Sequence, residues 1–228
     1  VCILFQALFP AKTFSVLANK KKQVNLLPIF NTFLMRHFFL FILLSTIAYS
    51  IQAQPIAKSE KVLIRDGKPN EVMRITQVTD KDDLVILRTP SRDIPSKSRR
   101  FWKRLASRML ATVSDPDNQG VGIAAPQVGI NRNMIIVQRF DKQDHPFETY
   151  INPVIIATGD SLYSQVEGCL SIPYVRNAVI RYWEVVIRYQ DKRMRWHEEK
   201  IEGYTARIFQ HEIDHLNGIL FTDLIRYD

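Results

Sequence analysis

"HEIDH", residues 211–215, lies near the end of a 228-residue chain, and its reading decides the rest. On a helix, residues four apart share one face about a turn apart. His211 and His215 would then aim two imidazoles at one point, with Glu212 one residue round. Two ligands and a base at that spacing are how HExxH helices organise a metal for hydrolysis. The pattern fixes only three positions, so a chance pair of surface or core histidines satisfies it as well.

A metal site open to substrate normally has three protein ligands and a fourth position for water. In one large protease class the motif extends to HExxHxxGxxH. Here "HEIDHLNGILF" follows it through Gly218 and then sets Phe221 where a histidine should stand. A phenyl ring binds no metal. Thirteen residues follow His215, too few for a second helix carrying a carboxylate ligand, and Asp223 and Asp228 are poor substitutes. The third ligand is therefore expected upstream, where "EGCLS" (167–171) offers Cys169. A thiolate is a strong ligand for Zn²⁺ or Fe²⁺. The other cysteine is Cys2, in the leader, so without that leader Cys169 has no disulfide partner. A buried, inert thiol is the alternative.

"GVGIAAPQVG" (120–129) adds a third segment. Gly120 and Gly122 let backbone approach a ligand or turn sharply, Ala124 and Ala125 leave room, and the Gln127 amide can donate to a developing oxyanion. Taken alone, this stretch reads more simply as a glycine turn before a strand.

Together "GVGIAAPQ" (120–127), "EGCLS" (167–171) and "QHEIDH" (210–215) resemble the three motifs of the peptide deformylase family, in order and with similar spacing. "INPVI" and "LNGILFTD" resemble it too, and the likeness covers roughly 84–228. The resemblance implies an α+β fold of the deformylase type, with antiparallel sheets packed around a C-terminal helix that carries HExxH. It implies a hydrolase that removes the formyl group from N-formylmethionyl peptides during protein maturation after translation. It implies Fe²⁺ as the native metal, with Zn²⁺, Ni²⁺ or Co²⁺ able to substitute. Mapped by motif, Cys169, His211 and His215 are the metal ligands and Glu212 is the general base and acid. Gln127 and the backbone N–H of Leu170 form the oxyanion hole. Gly122, with Val121 and Gly168 beside it, lies along the bound peptide. Glu167 and Asp214 would each steady a ligand or an arginine, or else be surface carboxylates. Tyr204, Arg207 and Ile208 would border the methionine pocket, unless bulky Tyr204 packs in the core. Trp183 and Trp196 are expected to pack on sheets.

The net charge of +8 misleads, because five basic and no acidic residues lie in 1–53. From Gln54 onward 26 basic residues face 23 acidic ones, so a nucleic-acid partner is not expected. "MRHFFLFILLSTIAYSIQAQ", from Met35, has a short basic start, an apolar run and a small-residue cleavage site at Ala53. That is the layout of a secretory signal over 35–53. The run falls short of the roughly 20 residues of a spanning helix, so no stable membrane insertion is expected after its removal. Export, periplasmic or secreted, would follow if Met35 is used as the start, and a cytoplasmic location otherwise. Residues 1–34 are expected to be a leader without function, or untranslated. A monomer is expected.

Residues 54–83 read as an extension without assigned role, and 84–228 as the catalytic domain. "KVLI" and "VMRITQV" suggest short strands around the turn "RDGKPN". An amphipathic helix is expected over about 97–113, with Phe101, Leu105, Met109 and Val113 inward and a solvated face of arginines and lysines. "MIIVQRF", "TYINPVII", "SLYSQVEGCLSI" and "AVIRYWEVVIRYQD" read as strands. A last helix, about 203–217, closes at Gly218. Two other functions compete with the deformylase. One is a secreted zinc endopeptidase, which lacks a third ligand after His215; the other is a non-catalytic formyl-peptide-binding protein.

Overall fold

A computed structural model describes residues 54–226. The expected leader and signal, and Asp228, lie outside them. Strands β1 (Gly122–Ala124), β2 (Met134–Gln138), β3 (Phe147–Thr158), β6 (Glu184–Gln190) and β7 (Trp196–Glu202) form a five-stranded sheet in the order β1-β2-β3-β6-β7. Every pairing in it is antiparallel. Strands β4 (Leu162–Cys169) and β5 (Ile172–Tyr182) make a separate two-stranded ribbon. Helices α1 (Lys58–Arg65), α2 (Lys81–Arg88) and α3 (Arg99–Val113) precede the sheet, and α4 (Gly203–Leu216) follows it.

The run "MIIVQ" explains the layering. Side chains alternate across a strand, so Met134 and Ile136 face one side while Ile135 and Val137 face the other. All four are fully buried. On the first side they meet Trp102, Leu105, Met109 and Val113 of α3. On the second they join Val185, Ile187 and Ile201 beneath Ala206, Phe209, Ile213 and Leu216 of α4. A strand apolar on both faces needs a layer on each, so the sheet lies between α3 and α4. Pro153 cannot donate to a ladder, and beside it the β3–β6 register shifts between Ile151 and Val154.

Several expectations are corrected. "KVLI" is helical, not a strand. Its β-branched residues suggest a strand, but the buried residues of α1 are Glu60 and Ile64, four apart, while Val62 is 68% exposed. "VMRITQV" (72–78) is no strand either. Its amides donate to a helix side chain and to two turns: Met73 N to Thr112 Oγ1, Thr76 N to the Gln127 carbonyl, Val78 N to the Ser171 carbonyl. "AVIRYWEVVIRYQD" breaks at Trp183 and supplies strands to both the ribbon and the large sheet. Trp183 and Trp196 are about half exposed rather than packed away. The face of α3 is only partly solvated. Arg108 is buried and donates to the carbonyls of Leu63 and Glu71, and Arg104 to those of Ile64 and Arg65. Those of Leu63, Ile64 and Arg65 are carbonyls that the end of α1 leaves open.

α2 and β7 carry no expectation from sequence. Asp80 caps α2 by accepting from the amides of Asp82 and Asp83. β7, "WHEEKIE", is a charged edge strand whose one fully buried residue is Ile201. Helix α4 ends as expected, with Gly218 at φ +74°. A side chain there would run into the Arg88 carbonyl, so glycine is required twice over. The segment 54–83 is not a loose extension. Buried Arg132 grips both Glu60 oxygens (2.7 and 2.8 Å) and the carbonyls of Gln54 and Pro55 (2.7 and 2.9 Å).

Candidate active site

Two elements bring Cys169, His211 and His215 together. Helix α4 places His211 and His215 on one face with ring centroids 5.1 Å apart. The β4–β5 ribbon turns tightly through Leu170 and Ser171, since Cys169 pairs with Ile172, and so delivers Cys169 to that face. The Sγ lies 3.2 Å from His215 Nε2. One ligand atom from each of the three residues lies within 4.8 Å of the others. Tetrahedral ligation, with metal–sulfur near 2.3 Å and metal–nitrogen near 2.1 Å, separates such atoms by about 3.6 Å. The sulfur and two nitrogens therefore fit a divalent transition metal. Burial pushes the Cys169 thiol up, but the two imidazoles outweigh it and hold the group well below its ordinary value. Phe221, in the place of a third histidine, stacks on His211 at 6.0 Å.

His211 is aimed by its other nitrogen. Its Nδ1 lies 2.9 Å from Glu167 Oε2, which leaves Nε2 for the metal position. Glu167 is buried and also accepts from Arg181 Nε (2.7 Å) and Nη2 (2.9 Å) and from Arg207. Asp214 completes the chain by accepting from Arg181 Nη1 at 2.6 Å. Burial raises the Glu167 carboxyl, but hydrogen bonds from His211 and Arg181 bring it to about 2. Glu167 and Asp214 thus hold arginines rather than sit as free surface carboxylates. The sequence reading missed Arg181. The signal was available, since Arg181 shares a strand face with buried Val179. A buried arginine in phase with a core residue must have a carboxylate partner.

Glu212 sits beside the ligands at 4% exposure, and its Oε2 is buried without a hydrogen-bond partner. Burial raises its carboxyl to about 7, against the pull of both imidazoles. Such a group can both take and return a proton near neutral pH. Gly122 makes room for it. A Cβ at 122 would lie 2.5 Å from Glu212 Oε1 and 2.8 Å from Ile208 Cγ2. Gln127 sits in the 3-10 turn Ala125–Val128 after β1. Its Oε1 accepts from the Ala124 amide at 2.9 Å, which turns Nε2 toward Cys169 Sγ (3.4 Å) and Ser171 Oγ (3.3 Å).

These groups face a cavity of about 460 Å³. Val121, Gly122, Gly168 and Leu170 line it, as do Gln127 and Glu212. Ile208 and Tyr204 border it, with Tyr204 42% exposed rather than packed in the core. Arg207 also borders it, but its guanidinium is spent on Glu167 and on the carbonyls of Val179 and Tyr163. Asp223 is paired with Arg88 and unavailable as a ligand. Among the described residues, no helix is long and apolar enough to cross a membrane.

The polypeptide deformylase family model matches residues 72–227, beginning twelve residues before the expected domain start. The peptide deformylase of a Synechocystis species is 40% identical over 141 residues, 61% of this chain and 74% of that protein. That of Thermotoga neapolitana is 43% identical over 124 residues, 54% and 72% of the two chains. Among solved structures, the Met-Ala-Ser-bound class I type b peptide deformylase of Acinetobacter baumannii matches with a TM-score of 0.60 and 33% identity, covering 68% of this chain and 99% of that one. The Thermotoga maritima enzyme matches at 0.61 and 33%, covering 69% and 99%. The chain belongs to the polypeptide deformylase family.

Proposed function

We propose that this chain hydrolyses the formyl amide of N-formylmethionyl peptides, yielding formate and a free amino terminus. The observation that carries this is the convergence of Cys169, His211 and His215, whose ligand atoms lie within 4.8 Å of one another, with Cys169, His211, Glu212 and Gln127 on one cavity. The Acinetobacter relative carries a Met-Ala-Ser peptide, so a methionine-led peptide is the substrate proposed here. Fe²⁺ is proposed as the native ion, because a thiolate with two imidazoles suits a softer divalent metal, with Zn²⁺, Ni²⁺ or Co²⁺ as substitutes.

Held by Cys169, His211 and His215, the ion would supply Lewis acidity and lower the pKa of water. Glu212 is placed to take a proton from the water that attacks the formyl carbon. The Gln127 Nε2–H and the Leu170 N–H donate to the oxygen that gains charge; losing one such donor costs about 2.7–4 kcal/mol of barrier. Glu212 then delivers its proton to the departing amine, so the proton count balances. Gly122, Val121 and Gly168 leave room for the peptide backbone, and Ile208 and Tyr204 flank the methionine side chain.

Protein purified without oxygen should release formate from formyl-Met-Ala-Ser at about one metal per chain. Cys169→Ala should lose both metal and activity. Glu212→Gln should keep the metal and lower kcat by about 10²–10⁴. Cleavage of internal peptide bonds instead would favour an endopeptidase. Full activity in Glu212→Gln would contradict the assignment. Export through 35–53 is a separate proposal. An amino terminus at Gln54 in protein from the producing cell would support it, and one at Met35 would overturn it.

A further inference from the structure

The two donors of the oxyanion hole sit on separate elements, the turn after β1 and the turn of the ribbon. Among the described residues no backbone hydrogen bond joins these turns directly. Their direct links are two side-chain contacts of Gln127 Nε2, to Cys169 Sγ at 3.4 Å and, weakly, to Ser171 Oγ at 3.3 Å. The short links come from elsewhere. The Thr76 amide donates to the Gln127 carbonyl at 2.9 Å, and the Thr76 hydroxyl to the Pro126 carbonyl at 3.0 Å. Two residues on, the Val78 amide donates to the Ser171 carbonyl at 3.0 Å.

We propose that residues 76–78 set the spacing of the oxyanion hole by tying the Gln127 turn to the Leu170–Ser171 turn, with Thr76 as a positioning residue. This rests on the roles given above to Gln127 and Leu170. The tie is itself anchored. Asp83, buried, accepts from the Gln77 amide at 2.9 Å and from both terminal nitrogens of Arg74 at 2.6 Å. Upstream, the Met73 amide is held by Thr112 Oγ1 at 2.9 Å. Thr76 is 1% exposed, so no water replaces its hydroxyl if that is removed. The segment thus spends its amides on turns instead of a sheet. Transition-state donors act through preset geometry, and a small displacement is felt in kcat more than in ground-state binding.

The test is steady-state formate release by the full metal-loaded chain, for Thr76→Val, Thr76→Ser, Gln127→Ala and the Thr76→Val/Gln127→Ala pair. Thr76→Val should lower kcat about tenfold with KM held within about twofold, and metal content should not change. Thr76→Ser, which keeps the hydroxyl, should restore most of kcat. The pair should be no slower than Gln127→Ala alone, because the donor that Thr76 positions is already gone. Wild-type kcat in Thr76→Val would overturn the inference. So would losses that multiply in the pair, or equal losses in Val and Ser variants with a lowered melting temperature, which mark a purely structural role. An undiminished kcat in Gln127→Ala would sink the oxyanion-hole reading itself, and this inference with it.

Discussion

Two of the buried arginines, Arg181 and Arg139, do different work. Arg181 lies between Glu167 and Asp214 under the cavity. Arg139, at the end of β2, gathers Asp141, Glu199 and Glu148 and donates to the Tyr150 hydroxyl. Both guanidiniums are nearly inaccessible, at 4% and 1%. The carboxylates differ. Glu167 is 6% exposed and Asp214 22%, whereas Asp141, Glu148 and Glu199 are about one-third exposed, so only the Arg181 network has a sealed carboxylate. The remote network therefore ends in water. The network at the site ends on His211 Nδ1, at 2.9 Å, and passes its order to a ligand. One cluster fastens a strand end, while the other fixes an imidazole.

The sharpest way to break this contrast is Glu167→Gln. It leaves Arg181 and Arg207 buried without their shared carboxylate, and breaking a fully buried pair costs about 3–5 kcal/mol. It also frees the His211 ring, and loss of such a partner typically lowers metal affinity about 10–100-fold. Urea denaturation and metal titration should show both losses together. Stability lost with metal affinity unchanged would mean that Glu167 does not aim His211.

Arg139→Met should fall below that. The carboxylates it abandons are partly solvated, so about 2 kcal/mol is expected, under the range for a sealed pair. Formate release per folded molecule should stay at the wild-type value. A fall in kcat would couple the two networks and end the distinction between them.

The smallest effect concerns pH. The Arg139 hydrogen bond holds Asp141 at about 2, below the unfolded value near 3.9. A depressed carboxylate adds stability that is fully present above the unfolded value and fades as pH falls toward the folded one. Between about pH 4 and 2 the wild-type melting temperature should therefore drop more steeply than that of Arg139→Met. Parallel curves would show that Asp141 draws no stability from Arg139.

The legibility of the sequence divides along similar lines. The gathering of Cys169, His211 and His215 beside Glu212 was readable because helical spacing and a lone cysteine constrain chemistry directly, and "EGCLS" and "QHEIDH" mark short local stretches of chain. The α3 and α4 cores were readable because their apolar residues keep helical period. What sequence hid was long-range. Nothing local in "VMRITQV" says that its amides will meet Gln127 and Ser171, about 50 and 90 positions away. "KVLI" misled because β-branched composition hid the four-residue spacing of Glu60 and Ile64. β7 hid because an edge strand keeps solubility by carrying charge. Arg181 hid among surface arginines of the same type, until its phase with Val179 put it inside.

The central claim is that one sulfur and two imidazole nitrogens grip a single ion. X-ray absorption at the metal edge of anaerobically loaded protein tests it most directly. The predicted spectrum has one sulfur near 2.3 Å and light scatterers near 2.0–2.2 Å, two of them with imidazole multiple scattering. The sulfur shell should vanish in Cys169→Ser. A spectrum from the wild-type protein with only nitrogen and oxygen neighbours would contradict the account.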